Sequence, residues 1–254
     1  MTSRQIVADS AIIYVDTNRI IIDWKFCMKE KKKYLDGTKK VLDESQKETS
    51  PYWVEILGKK FIVYPNVFSP KYFFDTEFFA KEIFVEQGEE FLEIGPGSGV
   101  VSVWMALKGA IVAAVDINPD AVKNTQENAK IHKMEKQVSV YEGNLYSPIG
   151  DKKFDTVFWN TPFGYTENED VTTLEKAVFD PGYKSTRTFI EEAKNHLKEG
   201  GRLLIGFSST LGHIEKLKEL IKNNGFTFRT IASVESVETH PVKFELFESK
   251  AIIK

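Results

Sequence analysis

Phe91-Leu92-Glu93-Ile94-Gly95-Pro96-Gly97-Ser98-Gly99 is the stretch that decides the fold. A short apolar strand runs into three glycines at alternate positions, and Val101 to Leu107 then reads as a helix. Glycine lets the backbone bend sharply and approach a ligand closely, and a helix N-terminus adds unpaired amides. Such a turn can also serve only to pack a strand on a helix. The next strand favours a ligand. Ala110 to Val115 ends at Asp116, twenty-one residues after Gly95. A carboxylate there can accept both hydroxyls of a ribose. It could instead cap the next helix, but Asn118, ahead of Pro119, already fills that post.

Downstream, strands and helices alternate. A helix runs from Pro119 to about His132, strands cover Val138 to Tyr141 and Asp155 to Trp159, and a helix covers about Thr186 to Leu197. Gly200-Gly201 turns into the strand Arg202 to Gly206, and Glu215 to Asn223 is helical. Two last strands, Phe226 to Val234 and Val242 to Phe247, are joined by a turn near His240-Pro241. Strands spaced by helices of this length predict an α/β fold. Its sheet is doubly wound, seven-stranded and mostly parallel, with the last strand antiparallel.

Upstream, Trp53 to Leu57 and Phe61 to Tyr64 predict a hairpin around Gly58. Asp75 is the expected N-cap of a helix to about Gln87, with Phe79, Ala80, Ile83 and Phe84 as its buried stripe and Gly88 as its stop. Residues 1–50 differ in pattern and read as a small N-terminal appendage, with a boundary at Pro51 and the main domain over 51–254. Ala11 to Val15 and Arg19 to Trp24 suit two short strands, although a helix is also compatible. The lysine-rich run Lys29 to Lys40 reads first as a solvated linker and second as a patch for an anionic partner.

Composition narrows the function classes. With 42% hydrophobic and 28% charged residues the chain is an ordinary globular one, not a disordered or collagen-like one. It contains no apolar run long enough for a transmembrane helix, and Met1 to Ile6 lacks the layout of a signal peptide. One cysteine, Cys27, excludes an internal disulfide and a multi-cysteine zinc site, so a reducing, cytoplasmic setting is expected. His132, His196, His213 and His240 lack metal-ligand spacing, so no metal is expected. A net charge of −3 gives no global basic field to attract nucleic acid.

The spacing Gly-x-Gly-x-Gly departs from the dinucleotide fingerprint, and Ser102 stands where that fingerprint's third glycine would be. Glu93 lies two residues before Gly95. A carboxylate beside the turn suits a ligand with an ammonium group better than one with a pyrophosphate.

These residues resemble the first motif of class I S-adenosylmethionine (SAM) methyltransferases. Val115-Asp116-Ile117-Asn118-Pro119-Asp120-Ala121 with Glu127-Asn128-Ala129 resembles their second, and Tyr141-Glu142-Gly143-Asn144-Leu145-Tyr146 their third. The resemblance implies that Glu93, Gly95, Gly97 and Gly99 hold the methionine part of SAM. It gives Asp116 the ribose, Ile117 a face of the adenine, and Asn144, next to Leu145, its exocyclic amine. Asn144 replaces the more usual Asp and can still accept through its carbonyl oxygen. S-adenosylhomocysteine would be the product.

Phe158-Trp159-Asn160-Thr161-Pro162-Phe163-Gly164 ends the fourth strand of the sheet. It resembles the Asn-Pro-Pro-Tyr/Phe motif of enzymes that methylate planar nitrogens, in bases or in glutamine side chains. An amide nitrogen is a poor nucleophile because its lone pair is delocalised. The Asn160 side-chain oxygen, which also borders the cofactor, and the Thr161 carbonyl could accept its two hydrogens and orient it. Phe163 could stack on the planar group. Catalysis would then be mostly positioning. Thr161 stands where the family has proline, which keeps the carbonyl and loses rigidity. The motif also suits a plain strand-ending turn.

Val67-Phe68-Ser69-Pro70 and Phe74-Asp75-Thr76-Glu77 resemble the stretch before the cofactor turn in the release-factor glutamine methyltransferase (HemK-like) family. They also resemble that of related ribosomal-RNA guanine methyltransferases. Lys71 replaces an arginine of the first family, with two extra residues between the motifs. Thr76 is the candidate for the methionine carboxylate, or merely starts the helix. The resemblance covers about residues 51–250 and is absent from 1–50. The polar stretch Tyr165 to Lys184 reads as a mobile loop, and its Glu167, Glu169 and Asp170 would repel phosphate backbones.

The expectation is therefore a SAM-dependent N-methyltransferase acting on a protein glutamine amide or a small-molecule amine. The alternatives are an RNA or DNA base methyltransferase using Lys29 to Lys40 as an arm, and a non-catalytic SAM-binding module.

Overall fold

The computed structural model describes residues 4–8, 11–16, 19–236 and 241–252, with side chains from residue 35 onward. Three antiparallel strands, β1 (Arg4–Ala8), β2 (Ala11–Asp16) and β3 (Arg19–Asp23), precede helix α1 (Trp24–Ser45). The strand reading of residues 11–23 therefore holds, with one strand added before it. The lysine-rich run lies inside a helix rather than a linker. Near its end, Leu42 is 2% exposed in the core beneath the main sheet.

A hairpin of β4 (Tyr52–Ile56) and β5 (Lys59–Val63) follows. Leu57 and Gly58 both have positive φ, 49° and 74°, as a tight two-residue hairpin turn requires. Helix α2 (Asp75–Glu82) is shorter than expected. Asp75 lies inside its first turn and Phe74 holds the cap position, so the capping role assigned to Asp75 is corrected. The chain leaves the helix in an extended conformation at Ile83. This takes Phe84 off the buried stripe, and it is 68% exposed. The Lys108 ammonium donates to the carbonyls of Ala80 (2.9 Å) and Ile83 (2.6 Å), which satisfies the helix end.

The main sheet contains β6 (Glu90–Ile94), β7 (Ile111–Asp116), β8 (Val138–Glu142), β9 (Phe154–Asn160), β12 (Leu197–Phe207), β13 (Arg229–Glu235) and β14 (Lys243–Lys250). The short strands β10 (Gly164–Thr166) and β11 (Phe179–Pro181) pair with each other. The sheet order is β13-β14-β12-β9-β6-β7-β8, and β14 is antiparallel to both neighbours. This is the doubly wound sheet expected from the sequence. The turn near His240 lies outside the described residues. Helices α3 (Val100–Leu107), α4 (Pro119–Ile131), α5 (Lys184–His196) and α6 (Ile214–Asn223) complete the layers.

Alternate residues of each central strand serve opposite cores. Leu92, Val115, Trp159 and Ile205 face α5 and α6, whereas Phe91, Val112, Phe158 and Leu204 face α2 and α3. Both faces are covered, which explains the near-continuous apolar runs. Ile94 of β6 pairs with Val115 on one side and Trp159 on the other. The residues that follow these three, Gly95, Asp116 and Asn160, therefore emerge together at the carboxyl edge. The strand order reverses between β6 and β9, where ligands bind in such sheets.

The stretch Tyr165 to Lys184, expected to be a mobile loop, instead forms the parallel β10–β11 pair and a 3-10 turn at Glu175–Ala177. Gly164 permits this pairing, because a Cβ there would lie 2.7 Å from the Phe179 ring. Among the described residues, no helix is long and apolar enough to cross a membrane.

Candidate active site

A cavity of about 260 Å³ opens at this switch point. The glycine turn forms its floor, with Gly95, Gly97 and Gly99 at φ of 62°, 56° and 78°. These left-handed values explain the three glycines. A Cβ on Gly95 would also meet the Trp159 indole nitrogen at 3.0 Å, and one on Gly99 would meet Thr125 Cα at 2.8 Å. Gly95 and Gly97 line the cavity, whereas Gly99 lies behind it and lets α3 start against α4.

Asp116 is 8% exposed at the end of β7. One carboxylate oxygen accepts Gly97 N–H (3.1 Å) and the other Asn118 N–H (2.9 Å). Burial raises its carboxyl to about 6, against the pull of the Asn118, Gly97 and Ile117 amides. Asn118 caps α4 by accepting Asp120 N–H at 3.0 Å, as expected, and donates to the Asn66 carbonyl at 2.7 Å. That second bond anchors the segment leading to Phe68 in the cavity wall.

Glu93 is 3% exposed and lines the cavity. Burial pushes its carboxyl up to about 8, partly offset by the Ser102 hydroxyl that donates to it. Ser102 thus has a purpose at the position of the missing third glycine: its side chain orients this carboxylate. Thr76, Ile117, Asn144 and Leu145 also line the cavity, and Ile117 remains 44% exposed.

On the opposite wall stands Asn160, the last residue of β9. Its Nδ2 donates to Asp75 Oδ2 at 2.8 Å, while its Oδ1 is buried and has no hydrogen-bond partner. Pro162 lines the cavity, but Thr161 and Phe163 do not. Thr161 is 1% exposed, and both its N–H (3.0 Å) and its hydroxyl (2.8 Å) donate to the Gly206 carbonyl. Two bonds that proline could not make fix the loop where the ring rigidity is lost. The Phe163 ring is buried, edge-on to Phe244 at 5.8 Å. Its carbonyl accepts the Tyr183 hydroxyl (2.7 Å), which in turn accepts His213 N–H (2.9 Å).

Sequence reasoning missed the rest of this wall. Leu174, Lys176, Ala177 and Phe179 line the cavity from the β10–β11 segment. The acidic Glu167, Glu169 and Asp170 are exposed outside it.

The sequence matches the methyltransferase small domain family over residues 58–231. The chain belongs to this family. It is a methyltransferase, and membership implies SAM as the methyl donor. A Methanocaldococcus jannaschii protein provisionally named protein N5-glutamine methyltransferase is 35% identical over 172 residues, covering 66% of this chain and 85% of that one. The release factor glutamine methyltransferase of Aquifex aeolicus is 30% identical over 188 residues. That match covers 68% of this chain, which thus spans about two thirds (65%) of the relative's length. The solved tRNA m1G37 methyltransferase of M. jannaschii shares the fold, with a TM-score of 0.58 and 19% identity, over 82% of this chain and 58% of that one.

Proposed function

We propose that this methyltransferase transfers a methyl group from SAM to the side-chain amide nitrogen of a protein glutamine. The observation that carries the reading is Asn160, a cavity-lining residue beside two buried carboxylates, whose buried Oδ1 has no hydrogen-bond partner. The donor set suits SAM. Glu93 faces the ammonium, Asp116 the ribose hydroxyls, Ile117 the adenine face and Asn144 the exocyclic amine. Gly95 and Gly97 allow close approach, and Thr76 reaches the carboxylate.

When bound, SAM supplies an electrophilic methyl on a sulfonium. The chain's own contribution is to orient the amide. Asn160 Oδ1 accepts one of its N–H bonds, and positioning of this kind is worth several kcal/mol. Thr161, whose carbonyl is the acceptor expected for the other, lies outside the cavity lining. Pro162, Leu174 and Phe179 give the acceptor side an apolar lining. The buried Phe163 ring holds the loop from behind. The glutamine assignment comes from the names of the two relatives and from the amide-accepting geometry of Asn160. The N-terminal segment, whose helix α1 is tied to the main domain through buried Leu42 and the Lys39–Glu175 pair, is assigned to recognition of the partner protein, in a cytoplasmic setting.

The test is incubation with SAM carrying a labelled methyl group and an extract of source cells lacking the gene. Label is expected in protein, on glutamine. Label in RNA would overturn the reading and give the lysine-rich helix α1 a role in binding phosphate.

A further inference from the structure

Asp75 takes no part in the roles assigned above, yet its carboxylate is buried beside the acceptor wall, at 1% exposed in the first turn of α2. Its Oδ1 accepts Thr76 N–H (2.9 Å) and its Oδ2 accepts Nδ2 of Asn160 (2.8 Å). Thr76 and Asn160 both line the cavity, so this one carboxylate ties the cofactor wall to the acceptor wall.

We infer that Asp75 is a positioning residue that fixes which end of the Asn160 amide faces the substrate, and thereby restricts the acceptor to a nitrogen bearing N–H. The inference rests on the proposed amide methylation. The oxygen and the NH2 of an asparagine side chain are nearly the same size, so packing alone does not choose between them. An ionised carboxylate accepts hydrogen bonds and donates none. With Asp75 charged, the NH2 of Asn160 must face it and Oδ1 must face away. That is the arrangement seen, with Oδ1 buried and unpaired.

A buried acceptor without a donor is costly. A substrate N–H removes that cost, whereas a carbonyl or ether oxygen in the same place would face a second lone pair. The bond to a charged partner is also a strong one. It polarises the amide and leaves Oδ1 more negative, opposite a nitrogen that gains positive charge as it is methylated. Both Asp75 oxygens are already engaged, so the proton that the nitrogen loses once the methyl has passed from the sulfonium goes to solvent and not to Asp75. Burial raises its carboxyl to about 6, so it is charged at pH 8, where the test is made.

The first arm is nitrogen NMR of the full chain with SAM at pH 8, with the Asn160 side-chain resonance identified by its loss in Asn160→Asp. A slowly exchanging NH2 is expected, and Asp75→Asn should abolish its protection. An NH2 that exchanges as fast as those of exposed asparagines, or that ignores Asp75→Asn, would overturn the inference. The second arm measures labelled-methyl transfer to the extract proteins. Asp75→Asn should lower kcat by roughly tenfold to a hundredfold, with SAM affinity within about threefold.

The swap Asp75→Asn/Asn160→Asp restores one donor–acceptor pair and leaves an oxygen facing the cavity. It should recover transfer relative to Asp75→Asn alone. A swap no better than the single variant would reduce Asp75 to a structural role. If Asp75→Asn does not fold, the wild-type NMR signal and the swap carry the test. Asn160→Ala separates the two claims. If it keeps full transfer, the amide reading fails. If it loses transfer while Asp75→Asn keeps it, only the role of Asp75 fails. If no protein is labelled, the NMR arm still decides.

Discussion

The two walls of the cavity are held in different ways. The cofactor wall is built mainly on backbone, from three left-handed glycines and the amides of Gly97 and Asn118 that grip Asp116, with the Ser102 hydroxyl on Glu93 as a side-chain support. The acceptor wall is built from side chains that join distant parts of the chain. Asp75 holds Asn160, Tyr183 holds the Phe163 carbonyl, and Lys39 on α1 pairs with Glu175 at 2.7 Å, next to the cavity residues Leu174 and Lys176. A wall fixed by backbone keeps its shape when one side chain changes. A wall fixed by pairing can be reshaped by one substitution, which suits the part of an enzyme that selects its acceptor.

The largest expected effect lies on the cofactor wall. Asp116→Ala should weaken SAM binding by about a hundredfold or more, since a charged acceptor of two hydroxyls is lost. Calorimetry checks this, and wild-type affinity would break the ribose assignment. The same wall should show a pH dependence. Free Glu93 titrates near 8, and an ammonium against it favours the carboxylate. Binding therefore releases a proton below that pH, and affinity should rise as pH increases towards 8, by up to about tenfold per unit. Titrations in buffers of different ionisation enthalpy measure the released proton. An affinity that falls over this range would contradict the placement of the ammonium.

Two smaller effects concern stability. Gly99→Ala places a Cβ 2.8 Å from Thr125 Cα at a φ of 78°. The strain and overpacking should cost about 3 kcal/mol, a drop in Tm of roughly 10 °C. An unchanged Tm would mean that the backbone wall is softer than described. Thr161→Pro restores the family pattern but removes both bonds to the Gly206 carbonyl. It should destabilise the protein by about 1–3 kcal/mol in a denaturant titration, rather than stiffen it. A gain in stability would show that the two bonds do not replace the ring.

The contrast between the walls also explains what the sequence revealed. The doubly wound sheet with its antiparallel last strand and the glycine turn were legible because apolar runs, glycines and a capping Asn118-Pro119 act locally, whereas the strand order came only from the fold. Asn160 was legible because it ends a strand. Asp75 was legible only as a helix start, because its partner lies 85 positions away and the pairing leaves no periodic trace. Ser102 was visible as a departure from the glycine pattern, but its bond to Glu93 needed the turn of α3 above β6. The β10–β11 wall was masked by its polar composition, since only three residues of each strand pair. The end of α2 was set by Lys108, from another helix end.

One cavity should thus bind SAM on one wall and orient an acceptor amide on the other through Asn160. The sharpest test measures SAM affinity and labelled-methyl transfer together for Asn160→Ala. Affinity should stay within about threefold of wild type while transfer falls by about a hundredfold or more. Transfer equal to wild type would contradict this division of labour and move the chemistry elsewhere in the cavity.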